Sequence, residues 1–309
     1  MDTLDYTSKQ TVNARIRFRS QLYRFIEKNK LVKNLFSRIF PIYYKNNFRS
    51  GIKMCAFDKF ILVIDYSEVW QRNLFYSMKY EPALNLFLEK ILLPGDIYVD
   101  IGANIGWHTI SMLTKCPELK MVYAFEPSRK AFIQLQESIS LNNLTNRCQI
   151  FNVALSDIEG KKTLKSFPEL GGLHSSLFPL ADWKYEEEEV NVTTLDRMAV
   201  SFIAPPSVIK CDVEGSELNV LAGAKETMSG KFGNPPIWLL EANYETSGMA
   251  GYFPWQMIEY AKTIAPYEVY SIRNGYAKRL ESYLALRHGD IFILSIPEFH
   301  IGRFSSSMR

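Results

Sequence analysis

Two hydrophobic rhythms run along the chain. Short apolar runs such as "IYVDI", "MVYAFE", "CQIFNVAL", "SVIKCDV", "PIWLLEA" and "DIFILSI" read as strands. Between them, "WHTISMLTK", "SRKAFIQLQESISLNN", "SELNVLAGAKETM" and "PWQMIEYAKTIA" repeat apolar residues at helical spacing. Ser128 stands where an N-cap residue belongs. Upstream, "IKMCAFDKFILVI" reads as one or two strands, and "EPALNLFLEKIL" as a helix stopped by Pro94-Gly95. Strands alternating with helices predict an α/β fold, a doubly wound and mostly parallel sheet with helices on both faces.

Two regions depart from this rhythm. Residues 160–200 contain "FPELGGLHSSLFPLADWKYEEEEV", rich in Gly, Pro, Ser and aromatics, which predicts an insertion at the ligand edge of the sheet. Its aromatics Phe167, Phe178, Trp183 and Tyr185 suit either stacking on an acceptor or covering the sheet edge, and Glu186 to Glu189 read as a solvated run. Residues 1–50 form a basic extension. Leu22, Phe25, Ile26, Val32, Leu35, Phe36, Ile39 and Phe40 mark one face of an amphipathic helix that Pro41 ends or bends. The expected division is therefore 1–50 as a helical extension and 51–309 as one domain, with its core at about 80–300.

Composition narrows the classes. Apolar residues at 47% and charged residues at 22% are ordinary globular values, and a net charge of +3 does not argue for nucleic acid. The extension holds 11 Lys and Arg against 3 Asp and Glu, so the remainder is acidic. That basic helix suits docking on its own domain or on a second subunit, or peripheral contact with an anionic membrane surface. Cys55, Cys116, Cys148 and Cys211 have neither disulfide nor zinc spacing, and read as buried residues of a reducing compartment. No apolar run reaches the ~18–20 residues of a membrane span. The N-terminus lacks an apolar signal core, so a cytoplasmic protein is expected.

The stretch "YVDIGANIGWHT" places Asp100 at a strand end and Gly102 in the following turn, where ligands of doubly wound sheets sit. Gly102 permits a special backbone conformation and leaves room for a cofactor, and Gly106 lets the helix approach closely. Asn104 occupies the middle glycine position of a dinucleotide fingerprint, and Asp100 is poorly placed for a phosphate. S-adenosylmethionine, with its sulfonium and ammonium, fits better. Glu126, at the end of the next strand, suits its ribose hydroxyls. In "VIKCDVEGSEL", Asp212 and Glu214 end a strand expected beside the first, facing the same crevice. They can act as a general base toward a hydroxyl, or together hold a divalent metal that lowers its pKa. Glu217 opens a helix, where complementing the helix dipole is the local reading.

These segments, with "AFEPS", "NVALSDIEG" and "TTLDRM" in this order and spacing, resemble the FkbM-type family of S-adenosylmethionine-dependent methyltransferases from about Tyr80 to Glu241. The resemblance implies a class I methyltransferase fold, a seven-stranded sheet with one antiparallel strand near the C-terminus. It also implies O-methylation of a hydroxyl on a sugar, glycan or natural product. For the cofactor it implies Asp100, Gly102, Ala103, Asn104, Gly106, Glu126, Asp157, Asp212 and Glu81, the last in "MKYEP", which lacks the glycine often preceding this Tyr-Glu pair. Asp212 and Glu214 match positions near the methyl group, and either is the expected base. His174, in the insertion, is the alternative. His108 is expected to pack or cap. A nicotinamide-dependent oxidoreductase and a non-catalytic scaffold are the competing readings.

Overall fold

The computed structural model describes residues 52–57, 59–167, 175–178 and 185–304. The expected basic helix of residues 1–50, and His174 and Trp183 of the insertion, lie outside them. A hairpin, β1 (Ile52–Phe57) and β2 (Phe60–Asp65), precedes α1 (Val69–Ser77) and α2 (Pro82–Ile91). Then come β3 (Ile97–Ile101), α3 (Trp107–Lys115), β4 (Met121–Phe125), α4 (Arg129–Leu141) and β5 (Cys148–Phe151). Four strands follow in the inserted region: β6 (Ala154–Leu155), β7 (Gly160–Ser166), β8 (Ser175–Ser176) and β9 (Glu186–Thr193). The alternation resumes with α5 (Leu195–Ala199), β10 (Val208–Cys211), α6 (Glu217–Ala222), α7 (Lys225–Met228), β11 (Ile237–Ala242), α8 (Tyr244–Met249) and α9 (Pro254–Ile264). The chain closes with β12 (Glu268–Arg273), β13 (Tyr276–Arg279), β14 (Asp290–Ser295) and α10 (Pro297–Phe304).

The main sheet has the order β13-β12-β14-β11-β10-β3-β4-β5. Strands β5, β4, β3, β10 and β11 pair in parallel, and β14 lies antiparallel between β11 and β12. The order reverses between β3 and β10, so the ends of these two strands flank the crevice. The expected doubly wound sheet is present, with eight strands where the resemblance implied seven. The extra strand, β13, pairs antiparallel with β12 across Asn274-Gly275, both left-handed (φ 53° and 75°), a hairpin signal in "RNGYA".

Side chains alternate across the sheet. Tyr98, Ala124, Val208 and Leu239 pack in one layer with α2, α3 and α4, while Val99, Phe125, Ile209 and Trp238 pack in the other with α6 and α9. Burying each such large side chain contributes roughly 1.5–3 kcal/mol. Asp100 and Lys210 share the period of Tyr98 and Val208, so both side chains enter the α3 layer. The helix expected over "SELNVLAGAKETM" is two short ones. A Cβ at Gly223 would lie 2.0 Å from the Ser156 carbonyl oxygen, and this close approach falls where the helix breaks.

The inserted strands form their own sheet, β6-β9-β7-β8. Glu186 to Glu189, expected as a solvated run, begin β9 and pair with β7. Phe167 is fully buried and packs edge-on to Tyr185. The β1–β2 hairpin lies against α3 and α4. Phe57 and Phe60 meet the Trp107 ring edge-on at 5.3 and 5.4 Å. The free edge of β2 is held by α4, where Asn142 accepts from the Ile61 amide and Ser138 from the Val63 amide, both at 2.9 Å. One turn earlier, Gln134 donates to the Val63 carbonyl and meets Gln71, which accepts from the Asp65 amide. The four cysteines form no disulfide, and Cys55, Cys148 and Cys211 are buried.

Candidate active site

A cleft opens over the carboxyl ends of β3, β4 and β10. The turn after β3 and the acids Glu126, Asp212 and Glu214 line it, with Leu164, Ser175 and Glu187 of the inserted sheet on its rim. The insertion therefore stands at the ligand edge, as its position in the sequence predicts.

Every amide of the turn 102–106 is engaged within the chain. Gly102 and Ala103 both donate to the Phe125 carbonyl at 3.0 Å, and Gly106 donates to Ala103 at 2.9 Å. Asn104 donates to Glu126 Oε2 and Ile105 to the Asn104 side chain, each at 2.8 Å. Gly102 is left-handed (φ 75°), and a Cβ there would lie 1.9 Å from the Asp212 carbonyl oxygen. This glycine makes room for the neighbouring turn of its own chain, and it also lines the cleft. At Gly106 (φ 94°) a Cβ would meet Leu135 of α4 at 2.5 Å, so this glycine does permit close helix packing.

Glu126 also accepts from the Ser128 amide at 2.8 Å. Burial pushes its carboxyl up to about 7, against the pull of these amides and Lys210. Asp100 is fully buried and accepts from the Thr109 hydroxyl at 2.6 Å. Lys210 pairs across the sheet with Asp100, and its Nζ lies 3.4 Å from both Asp100 Oδ1 and Asp212 Oδ2. Burial works to lower the Lys210 pKa, but Asp212, Asp100 and Glu81 hold it above its ordinary value. Burial raises the Asp212 carboxyl to about 6; Lys210 opposes that shift and Glu214 adds to it.

Glu214 sits in the left-handed region (φ 51°), with its carbonyl accepting from buried Ser176 of the inserted sheet at 2.7 Å. Glu217 belongs to the loop's frame. Its carboxylate accepts from the Val213 and Gly215 amides and from the Tyr252 hydroxyl. Burial pushes it up to about 7. It thus does more than complement a helix dipole, while remaining local.

Glu81 touches His108, whose Nε2 lies 2.7 Å from Glu81 Oε2. His108 lines the cleft, and Glu81 backs it. Burial would raise the Glu81 carboxyl, but His108 and Lys210 keep it below its usual value. In "MKYEP" both Met78 and Glu81 are left-handed (φ 56° and 41°), so Met78 takes a conformation that glycine adopts without strain. Asp157 is exposed, accepts from Ser156 and Asn219, and does not line the cleft, whereas Val153, Ala154 and Leu155 do.

Two charged residues that no sequence motif singles out also stand here. Lys210 interrupts an apolar strand in "VIKCDV". Glu241 ends β11 as Asp212 follows β10, and burial, then Asp212 and Glu214, push it up to about 9. An acid at the carboxyl end of each central strand was the signal available. Among the described residues no group of three or more His, Cys, Asp or Glu is gathered as metal ligands would be. The cation beside Asp212 is the Lys210 ammonium.

The family model "Methyltransferase FkbM domain" matches residues 100–257, more than half of the 309-residue chain. The chain belongs to the FkbM methyltransferase family. Curated relatives are similar over this region. Methyltransferase sdnD of Sordaria araneosa is 29% identical over 157 residues, 41% of this chain and 60% of the relative. The 31-O-demethyl-FK506 methyltransferase FkbM of Streptomyces tacrolimicus is 28% identical, over 44% of this chain and 62% of its own length. The 2-O-methyltransferase NoeI of Sinorhizobium fredii is 26% identical, over 50% and 66%. The chain thus matches less than two thirds of these relatives' length. Among solved structures, methyltransferase FkbM of Methylobacillus flagellatus KT is 19% identical and aligns with 76% of this chain and 56% of its own at a TM-score of 0.45. The matched span of this FkbM-family chain runs from Asp100 through the start of α9 and contains the turn, Glu126 and the Asp212–Glu217 loop. No helix among the described residues is long and apolar enough to cross a membrane.

Proposed function

We propose that this protein is an S-adenosylmethionine-dependent O-methyltransferase acting on a hydroxyl of a glycan or natural product. The observation that carries this reading is the turn 102–106, whose amides all have partners within the chain. A pyrophosphate needs such amides free to receive it. The lining charges agree. Lys130 and Lys210 are the cleft's lysines among the described residues, and both are paired with carboxylates. Acids otherwise dominate, which suits a cationic, hydroxyl-bearing ligand. The curated relatives named for 31-O-demethyl-FK506 and for 2-O-methylation support an oxygen acceptor.

S-adenosylmethionine, when bound, supplies an electrophilic methyl on a sulfonium. Glu126 would accept from its ribose hydroxyls, using acceptor capacity left beside two amides. Asp212, the open end of the buried Asp100–Lys210–Asp212 row, would take the proton of the acceptor hydroxyl as the oxygen attacks the methyl. Glu214 borders the same space. General-base assistance of this kind contributes ~10²–10⁴-fold, with alignment supplying much of the remainder.

Equilibrium binding and labelled methyl transfer test the reading. Expected are micromolar-range binding of S-adenosylmethionine or its demethylated product, no binding of NADH, and label transfer to an oxygen in cell extract. Tight NADH binding without S-adenosylmethionine binding would overturn it.

A further inference from the structure

We propose that Lys210 is the positioning residue of this site: its ammonium, shared between Asp100 and Asp212, holds the Asp212 carboxylate ionised and turned toward the acceptor. The inference rests on reading Asp212 as the proton acceptor.

The placement follows from register. Lys210 and Asp100 are cross-strand partners on one face of the sheet, and Asp212 lies two residues beyond Lys210. Nζ stands 3.4 Å from each acid. Asp100 is locked on its far side by Thr109. Exposure rises along the row: the side chains of Asp100, Lys210 and Asp212 are 0%, 4% and 19% exposed. The row therefore opens into the cleft mainly through Asp212. Because Asp100 shares the lysine, Asp212 is stabilised as an anion without being neutralised.

The surroundings make this cation necessary. Toward Asp212 and Lys210 come Glu81 and Tyr80 ahead of α2, His108 of α3, Glu126 just after β4, Glu214 and Glu217 beyond β10, and Glu241 of β11. Lys210 is the fixed cation in that company, with His108 contributing charge only when protonated. Burying the Asp100–Lys210 pair is not an economical route to stability, since apolar residues would fill the same layer at no desolvation cost. A role in holding Asp212 ionised explains why charge is kept there.

A carboxyl-¹³C aspartate titration of the cofactor-free protein by NMR tests this, with the Asp212 signal assigned by its loss in Asp212→Asn. Lys210→Met should raise the Asp212 midpoint by about one pH unit or more, while Lys210→Arg should leave it near wild type. In methyl transfer, the acid limb of kcat should move with it, slowing Lys210→Met roughly fivefold or more near pH 6. If Lys210→Met does not fold, Asp100→Asn/Lys210→Met removes both charges of the buried pair and should still shift the midpoint upward, by less, because a neighbouring anion is lost with the cation. An unmoved Asp212 midpoint in either folded variant overturns the proposal. A wild-type protein that transfers no methyl would overturn the functional reading instead, while the titration still decides the part played by Lys210.

Discussion

The turn after β3 and the turn after β10 share a plan. Each follows a strand-end acid and places a non-glycine residue in the left-handed region, Asn104 at 50° and Glu214 at 51°. In each, a glycine lacks the Cβ that would strike a neighbouring carbonyl, Gly102 against Asp212 and Gly215 against Thr246. Each is pinned by a buried glutamate that accepts turn amides and is pushed up to about 7. They differ in what else reaches that glutamate. Tyr252 seals Glu217 from the other side. Glu126 has no such seal and lines the cleft. One device, an acid gripping a glycine turn, thus serves once as frame and once as frame plus ligand contact. The third partner decides which, and it comes from a distant part of the chain.

The largest expected effect breaks both turns. Gly102→Ala puts a Cβ 1.9 Å from the Asp212 carbonyl oxygen, against 2.6 Å from Thr246 for Gly215→Ala, and both glycines are left-handed. Gly102→Ala should destabilise by roughly 3 kcal/mol or more and abolish S-adenosylmethionine binding. Gly215→Ala should cost less, and urea unfolding with calorimetry would rank the two.

Next come the glutamates. Glu217→Ala strands the Val213 and Gly215 amides, so a loss of about 2–4 kcal/mol is expected. Glu126→Gln keeps an acceptor for the turn, so it should lose less stability but weaken S-adenosylmethionine binding about 10–100-fold. Equal effects of the two variants on binding would erase the distinction drawn above.

A pH scan sharpens it further. Both carboxyls titrate higher when folded than the ~4.3 of an unfolded glutamate. The native state therefore holds protons that the unfolded chain has released. Their contribution is full below about pH 4.3 and is lost as pH rises through 7. Glu217→Gln should remove part of this slope from the stability profile. Cofactor affinity should rise toward pH 7 as Glu126 ionises, and Glu126→Gln should flatten that rise, whereas Glu217→Gln should not.

The smallest effect is expected at Asp157. It is exposed and lies off the cleft, so Asp157→Ala should change stability by less than ~0.5 kcal/mol and leave binding unchanged. A tenfold loss of affinity by calorimetry would support the cofactor contact implied for it.

What could be read in advance follows the range of each interaction. The central strands are continuous apolar runs, and the acids Asp100, Glu126, Asp212 and Glu214 stand at their ends, so sheet and site were visible together. The inserted sheet was not, because β7 is rich in lysine and β9 begins with four glutamates, with little apolar content in either. The break at Gly223 depends on the Ser156 carbonyl, far away in the sequence. The engagement of the turn amides depends on Phe125 and Glu126, which only strand pairing brings near. Strand β13 was announced by Asn274-Gly275, a signal the sequence reading passed over.

The seam between β2 and α4 is a matter of commensurate rulers. Alternate residues of a strand are about 6.6 Å apart, and residues four apart on a helix are about 6.0 Å apart. Ile61 and Val63 therefore meet Asn142 and Ser138 rung for rung, the two chains running in opposite directions. The mismatch of roughly 0.6 Å per rung accumulates like a vernier, and at the third rung Gln71 relays between Asp65 and Gln134. A helix can stand in for a missing strand over such a distance and little further. The six-residue length of β2 matches what that substitution can span, and it leaves the hairpin edge closed to pairing with another chain.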